Sequence, residues 1–168
     1  RIQAPMQVFM HSIFHVSAWA RIGQADKAIK ILQGYETNLQ FPMNILVDMG
    51  YIATYNTIND YQNAEKHYLR FKENAVSMGS GMLLDIVAVD VAKIARLKGE
   101  YDLAIETINN SAQFGDDIGG VIEVVMSYIG KGEPKTSLKT LQDFCDKNKK
   151  WEHGSKGPVL HTFAIIHH

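Results

Sequence analysis

The chain has 168 residues, of which 46% are hydrophobic and 21% charged, so it holds enough apolar material for a sizeable core. Its formal charge of −1 excludes the strongly basic overall balance of a typical nucleic-acid binder, and its single cysteine, Cys145, excludes an internal disulfide framework and fits a reducing compartment. No apolar run approaches the roughly 20 residues that a membrane span needs, and no signal peptide is visible. The expected setting is therefore intracellular, in cytoplasm or mitochondrion.

Helix formers recur along the whole chain, and the four prolines (Pro5, Pro42, Pro134 and Pro158) stand where a turn or a helix start belongs. In chain order, an apolar helical segment over 6–22 precedes an amphipathic one over 25–38. The same succession recurs over 43–58 and 60–78, over 82–98 and 100–114, and over 118–131 and 134–149. Within 82–98, the run from Leu83 to Leu97 carries many β-branched residues, but its length and alanine content favour a helix. Being apolar nearly all round, it is expected to be buried between neighbours. A loop from Lys147 to Gly157 leads to an incomplete unit at 158–168. The chain starts at Arg1 and stops within the apolar stretch Val159–Ile166, so it reads as part of a longer protein whose remainder packs on its ends.

Four segments align without gaps. They begin at Gly23, Asn59, Gly99 and Gly132, each followed five residues later by a small residue (Ala28, Ala64, Ala104, Ser137) and four after that by a large one (Leu32, Tyr68, Ile108, Leu141). Glycine or asparagine can take the left-handed conformation that ends a helix. The small residue lets two helices approach closely, and the large one, on the same face a turn later, fills the groove between them. The small residues are spaced by 36, 40 and 33 positions, which places the motif in four helical hairpins, 6–38, 43–78, 82–114 and 118–149. The fold class expected is all-α: an α-solenoid of about four helical hairpins plus the start of a fifth.

Gly99-Glu100-Tyr101-Asp102-Leu103-Ala104 resembles the Gly-x-Tyr-x-x-Ala turn of the tetratricopeptide family, and Asn59-Asp60-Tyr61-Gln62-Asn63-Ala64 resembles it with Asn for Gly. Tyr55 and Tyr128 stand where that family often has an aromatic late in the first helix. Its small residue midway along the first helix is matched by Ala92, with Val16, Ile52 and Val125 in that place elsewhere. The resemblance covers about residues 10–150 and implies stacked hairpins whose first helices line a concave binding face. Ala53-Thr54-Tyr55-Asn56-Thr57-Ile58 is similar to the opening phrase of the sister pentatricopeptide family, whose repeats bind RNA base by base. That family, however, carries the phrase about fifteen residues before the small residue. The positions of this chain in that register are Ile13, Met49, Val89 and Ile122, none of which can hydrogen-bond a base.

By the tetratricopeptide register, the outward positions of the first helices are Met10, Ile13, Ser17 and Arg21, then Met49, Ala53 and Asn56, then Val89, Lys93 and Arg96, then Ile122 and Met126. This face is mostly apolar with a cationic spot at Arg21, Lys93 and Arg96, and its methionines adapt to partners of varied shape. An amphipathic helix or extended peptide of a protein partner is expected there, with RNA as the second candidate.

No catalytic residue, metal ligand or cofactor site is assigned. His11 and His15 share a helix face but lack further ligands at a fitting spacing. Cys145, between Asp143 and Asp146, lacks the electropositive setting of a nucleophile and reads as a buried apolar residue. Asp85 and Asp90 are expected to pair with Lys93 or Arg96 at helical spacing, and Asp116-Asp117 to open a helix. Gly115, Gly119 and Gly120 lack the Lys-Ser/Thr and the preceding strand of a phosphate loop. The expectation is a non-catalytic scaffold that assembles protein partners, with an RNA-binding protein of an organelle as the alternative.

Overall fold

The left-handed residues end helices in one recurring way. In a computed structural model that describes residues 15–114, 117–148 and 156–167, φ is 80° at Gly23, 58° at Asn59, 82° at Gly99 and 76° at Gly132. At each of these residues the backbone N–H reaches a carbonyl three residues back, and the next residue's N–H reaches one five back. The second set comprises Gln24 to Trp19 (2.8 Å), Asp60 to Tyr55 (2.9 Å), Glu100 to Ala95 (2.9 Å) and Glu133 to Tyr128 (2.8 Å). This bond pair is the Schellman cap, which satisfies carbonyls that a helix end leaves open. Gly79, with φ 64°, ends a helix in the same way.

The described residues are all-helical, with no strand among them. A helix α1 includes residues 15–21, followed by α2 (Ala25–Asn38), α3 (Asn44–Thr57), α4 (Tyr61–Ser77), α5 (Gly81–Ile86), α6 (Ala88–Leu97), α7 (Tyr101–Asn109), α8 (Ile118–Gly130), α9 (Pro134–Lys147) and α10 (Lys156–His167). Two helix starts are capped by the side chain of a preceding aspartate. Asp60 accepts the Asn63 N–H at α4, and Asp117 accepts the Gly119 N–H at α8. Asp117 is thus a helix-start residue, whereas Asp116 and Gly115 lie outside the described residues.

Two stretches differ from the sequence expectation. The helix expected over 82–98 is interrupted at Val87 (φ −99°, ψ 9°), where burial changes: α5 has no buried residue, whereas Val87 and Ala88 are buried. The helix expected to reach 114 stops at Asn109, because Ser111 draws the chain into a turn, its hydroxyl accepting the N–H groups of Gln113 and Phe114.

The chain divides into two compact units, residues 1–84 and 85–168. In the first, α3 packs against both α2 and α4. Its core joins Val16, Ala28, Leu32, Val47 and Tyr51, with Trp19 and Tyr35 at the margin, and Phe71 is fully buried on α4. In the second, α6 packs on α7 and α8 on α9, while α8 also lies against α6 and α7. One core cluster joins Ala92, Ala95, Ala104, Ile105, Ile108 and Val124. Another joins Val121, Val125, Leu141 and Phe144, onto which α10 places Phe163 and Ile166.

The aligned small residues Ala28, Ala64, Ala104 and Ser137 are each wholly buried, at 0% exposure. Leu32, Ile108 and Leu141 are buried as well, but Tyr68 is only half-buried, and α4 fills its interior with Phe71 instead. The Ser137 hydroxyl donates to the Val125 carbonyl at 3.1 Å, which shows how closely α9 approaches the α8 backbone. No helix among the described residues is long and apolar enough to cross a membrane.

Candidate functional site

In the second unit, α6 and α8 lie side by side, and between them they carry five of the positions assigned to a binding face. Val89, Lys93 and Arg96 come from α6, and Ile122 and Met126 from α8, all five half-buried. Arg96 and Glu123 form an ion pair, the guanidinium Nε donating to Oε2 at 2.7 Å with side-chain exposures of 17% and 10%. Both groups are largely removed from water, so each depends on the other for compensation.

Two expectations about polar partners change. The cationic spot loses Arg96 as a charge available to a ligand, because Glu123 neutralises it. Asp85, expected to pair with Lys93 or Arg96, accepts a hydrogen bond from the Ser111 hydroxyl. Helical spacing along one segment pointed to partners on the same helix, whereas Glu123 and Ser111 come from other elements.

In the first unit, Met49, Ala53 and Ser17 are half-buried and Arg21 is exposed. Asn56, expected to face outward, is 2% exposed. Helix α3 is covered by α2 on one side and α4 on the other, which leaves little of its circumference open. Met10 and Ile13 lie outside the described residues, as does His11.

The densest polar constellation was not among the expected sites. Asp48, on α3, is fully buried, and its Oδ1 and Oδ2 accept from the Arg70 Nε at 2.8 and 2.9 Å, while Arg70 Nη2 also donates to Oδ1. His67 Nδ1 lies 3.0 Å from the same Oδ1, so the ring nitrogen carries the hydrogen of that contact. Arg70 Nη1 reaches Glu36 Oε1 on α2 at 2.7 Å, and the Tyr51 hydroxyl donates to Glu36 Oε2 at 3.1 Å. The imidazole stacks on the Tyr51 ring with centroids 4.1 Å apart, and Tyr55 stacks beside them.

Burial, then the charge and hydrogen bond of Glu36, hold the Tyr51 phenol well above the usual tyrosine range. A carboxylate and an imidazole are the raw material of acid–base chemistry, and a guanidinium supplies a fixed charge beside them. Here they bond to one another, and the arrangement ties α2, α3 and α4 together. The sequence did carry a signal for it: Asp48 interrupts the apolar run Ile45-Leu46-Val47-Asp48-Met49, and His67 and Arg70 stand three apart on the next helix.

Among the described residues no group of three or more His, Cys, Asp or Glu side chains is placed to hold a metal ion. Cys145, expected to be buried, is half-buried against the Val121–Leu141 cluster. Burial and then the Asp146 charge push its thiol up, away from the reactive thiolate. No family model, no curated protein and no solved structure matches the chain.

Proposed function

We propose that the chain is a non-catalytic helical-repeat scaffold, a tetratricopeptide-like α-solenoid segment that holds protein partners within a larger intracellular assembly. The observation that carries this reading is the shared geometry of the four aligned segments. Each has a Schellman turn at Gly or Asn, followed five residues later by a wholly buried small residue. The arrangement within the second unit supports it as well. The first helices of its two hairpins, α6 and α8, lie side by side, as stacked hairpins require.

The partner face of that unit consists of Val89, Lys93, Ile122 and Met126 around the Arg96–Glu123 pair. Half-buried apolar side chains on two adjacent helices fit the apolar stripe of a partner helix or the alternate side chains of an extended peptide. The internally compensated Arg96–Glu123 pair orients polar groups of the partner and adds little net charge. Ser17, Arg21, Met49 and Ala53 are the corresponding positions of the first unit.

A photo-reactive residue at position 122 tests the reading, with position 139 on the exposed side of α9 as control. Protein adducts at 122 that disappear with Met126→Glu are expected. RNA adducts at 122, together with a low-salt gel shift of single-stranded RNA, would replace this reading with the RNA-binding one.

A further inference from the structure

Helices α2, α3 and α4 bring two separate stretches of sequence to one end of the first unit. Helix α3 turns back into α4 through residues 58–60, and Asp48 and Tyr51 of α3 meet Arg70 and His67 of α4. This antiparallel register sets the loop that leads from α2 into α3 at the same end as the close of α4. The stretches brought there, 37–47 and 74–84, contain no Asp, Glu, Lys, Arg or His, although 21% of the chain is charged. Ile45, Val47 and Ala75 within them belong to the interior. Phe41, Val76, Met78 and Met82 do not: they are 55%, 60%, 44% and 65% exposed, with Gln40 and Ser77 exposed next to them in sequence. Leu69 makes the contrast. It is also exposed, but it stands alone between Lys66 and Lys72 on the α4 surface, as scattered apolar residues do.

We propose that this charge-free end of the first unit is the surface on which a second copy of the chain docks, giving a two-fold dimer. Phenylalanine and methionine enriched where charges are depleted is the composition of an interface centre, and homodimer interfaces are the more apolar class. Around a two-fold axis a patch meets its own copy. A patch of one sign would then face like charge, whereas an uncharged one meets no such penalty. The same lack of cations gives a nucleic acid or an anionic membrane nothing to hold. None of these residues belongs to the partner face, so dimerisation does not depend on that reading.

Sedimentation equilibrium on the whole chain tests it. A monomer–dimer equilibrium with a Kd on the order of 10 µM is expected, in keeping with a small interface. Phe41→Asp and Met82→Glu, both at exposed positions, are each expected to weaken it about tenfold. Leu69→Glu is expected to leave it within about twofold of wild type. Raising NaCl from about 0.05 to about 1 M is expected not to weaken the dimer, since no ion pair contributes. A monomer at every concentration would overturn the proposal, including one that sediments with phosphatidylcholine vesicles instead. A dimer that neither Phe41→Asp nor Met82→Glu weakens would overturn it as well.

Discussion

The two units hold their helices together with a different balance of charge pairing and close packing. In the first, α2, α3 and α4 converge on a buried carboxylate, with Arg70 and His67 closing around Asp48 and Glu36 at the rim. In the second, the Arg96–Glu123 pair also joins α6 to α8, and close contact is made in addition through small residues and backbone. A Cβ at Gly120 would lie 2.1 Å from the Phe114 carbonyl oxygen, and one at Gly130 would lie 2.3 Å from Tyr101 Cε1. Both units therefore depend on keeping buried charges paired, and the second depends in addition on keeping volume out at Gly120 and Gly130. A similar turn-and-small-residue motif serves both, so the motif sets where helices meet but not what cements them.

Substitutions that exploit this contrast are expected to separate the units. Arg70→Met leaves Asp48 buried without its cation, and a cost of about 3 kcal/mol in urea denaturation is expected. Adding Asp48→Leu is expected to restore most of that loss, because an apolar pair needs no compensation. If Arg70→Met is neutral, the guanidinium is not what stabilises α3 against α4.

In the second unit the damaging change is one added methyl. Gly130→Ala is expected to cost about 2 kcal/mol, since the Tyr101 ring has to move. In a Tyr101→Ala background the same substitution is expected to cost little, and equal costs in both backgrounds would show that the ring is not the obstacle.

Tyr51→Phe, the mildest change, removes one hydrogen bond to Glu36, and about 1 kcal/mol is expected. Its signature lies in the pH dependence. The folded-state phenol is raised above its unfolded value of about 10. Its contribution is thus complete below that pH and is lost as pH rises beyond it. Thermal melts between about pH 8 and 11 should show a shallower alkaline decline for Tyr51→Phe than for wild type, and identical slopes would contradict the assignment.

Helix positions were legible because apolar periodicity and left-handed turn residues are local properties of sequence. The α3, α4, α8 and α9 spans come within a few residues of expectation. The interruption at Val87 was not legible, since apolar residues continue on both sides of it and only tertiary burial distinguishes α5 from α6. Ion-pair partners were misplaced for a related reason. Spacing finds neighbours on one helix, but Arg96 bonds 27 residues away and Arg70 bonds 22 residues away. The same rule that singled out Asp90, a carboxylate inside an apolar helix, applied equally to Asp48. Of the binding-face positions, Asn56 failed because periodicity does not reveal that α3 is covered from both sides.

The shared hairpin geometry is tested most directly by enlarging its four small residues one at a time. Ala28→Leu, Ala64→Leu, Ala104→Leu and Ser137→Leu each drive a larger side chain into a wholly buried site. Urea denaturation is expected to show losses of about 1–3 kcal/mol at all four positions. A neutral outcome at any one would contradict close helix approach there and remove that hairpin from the set.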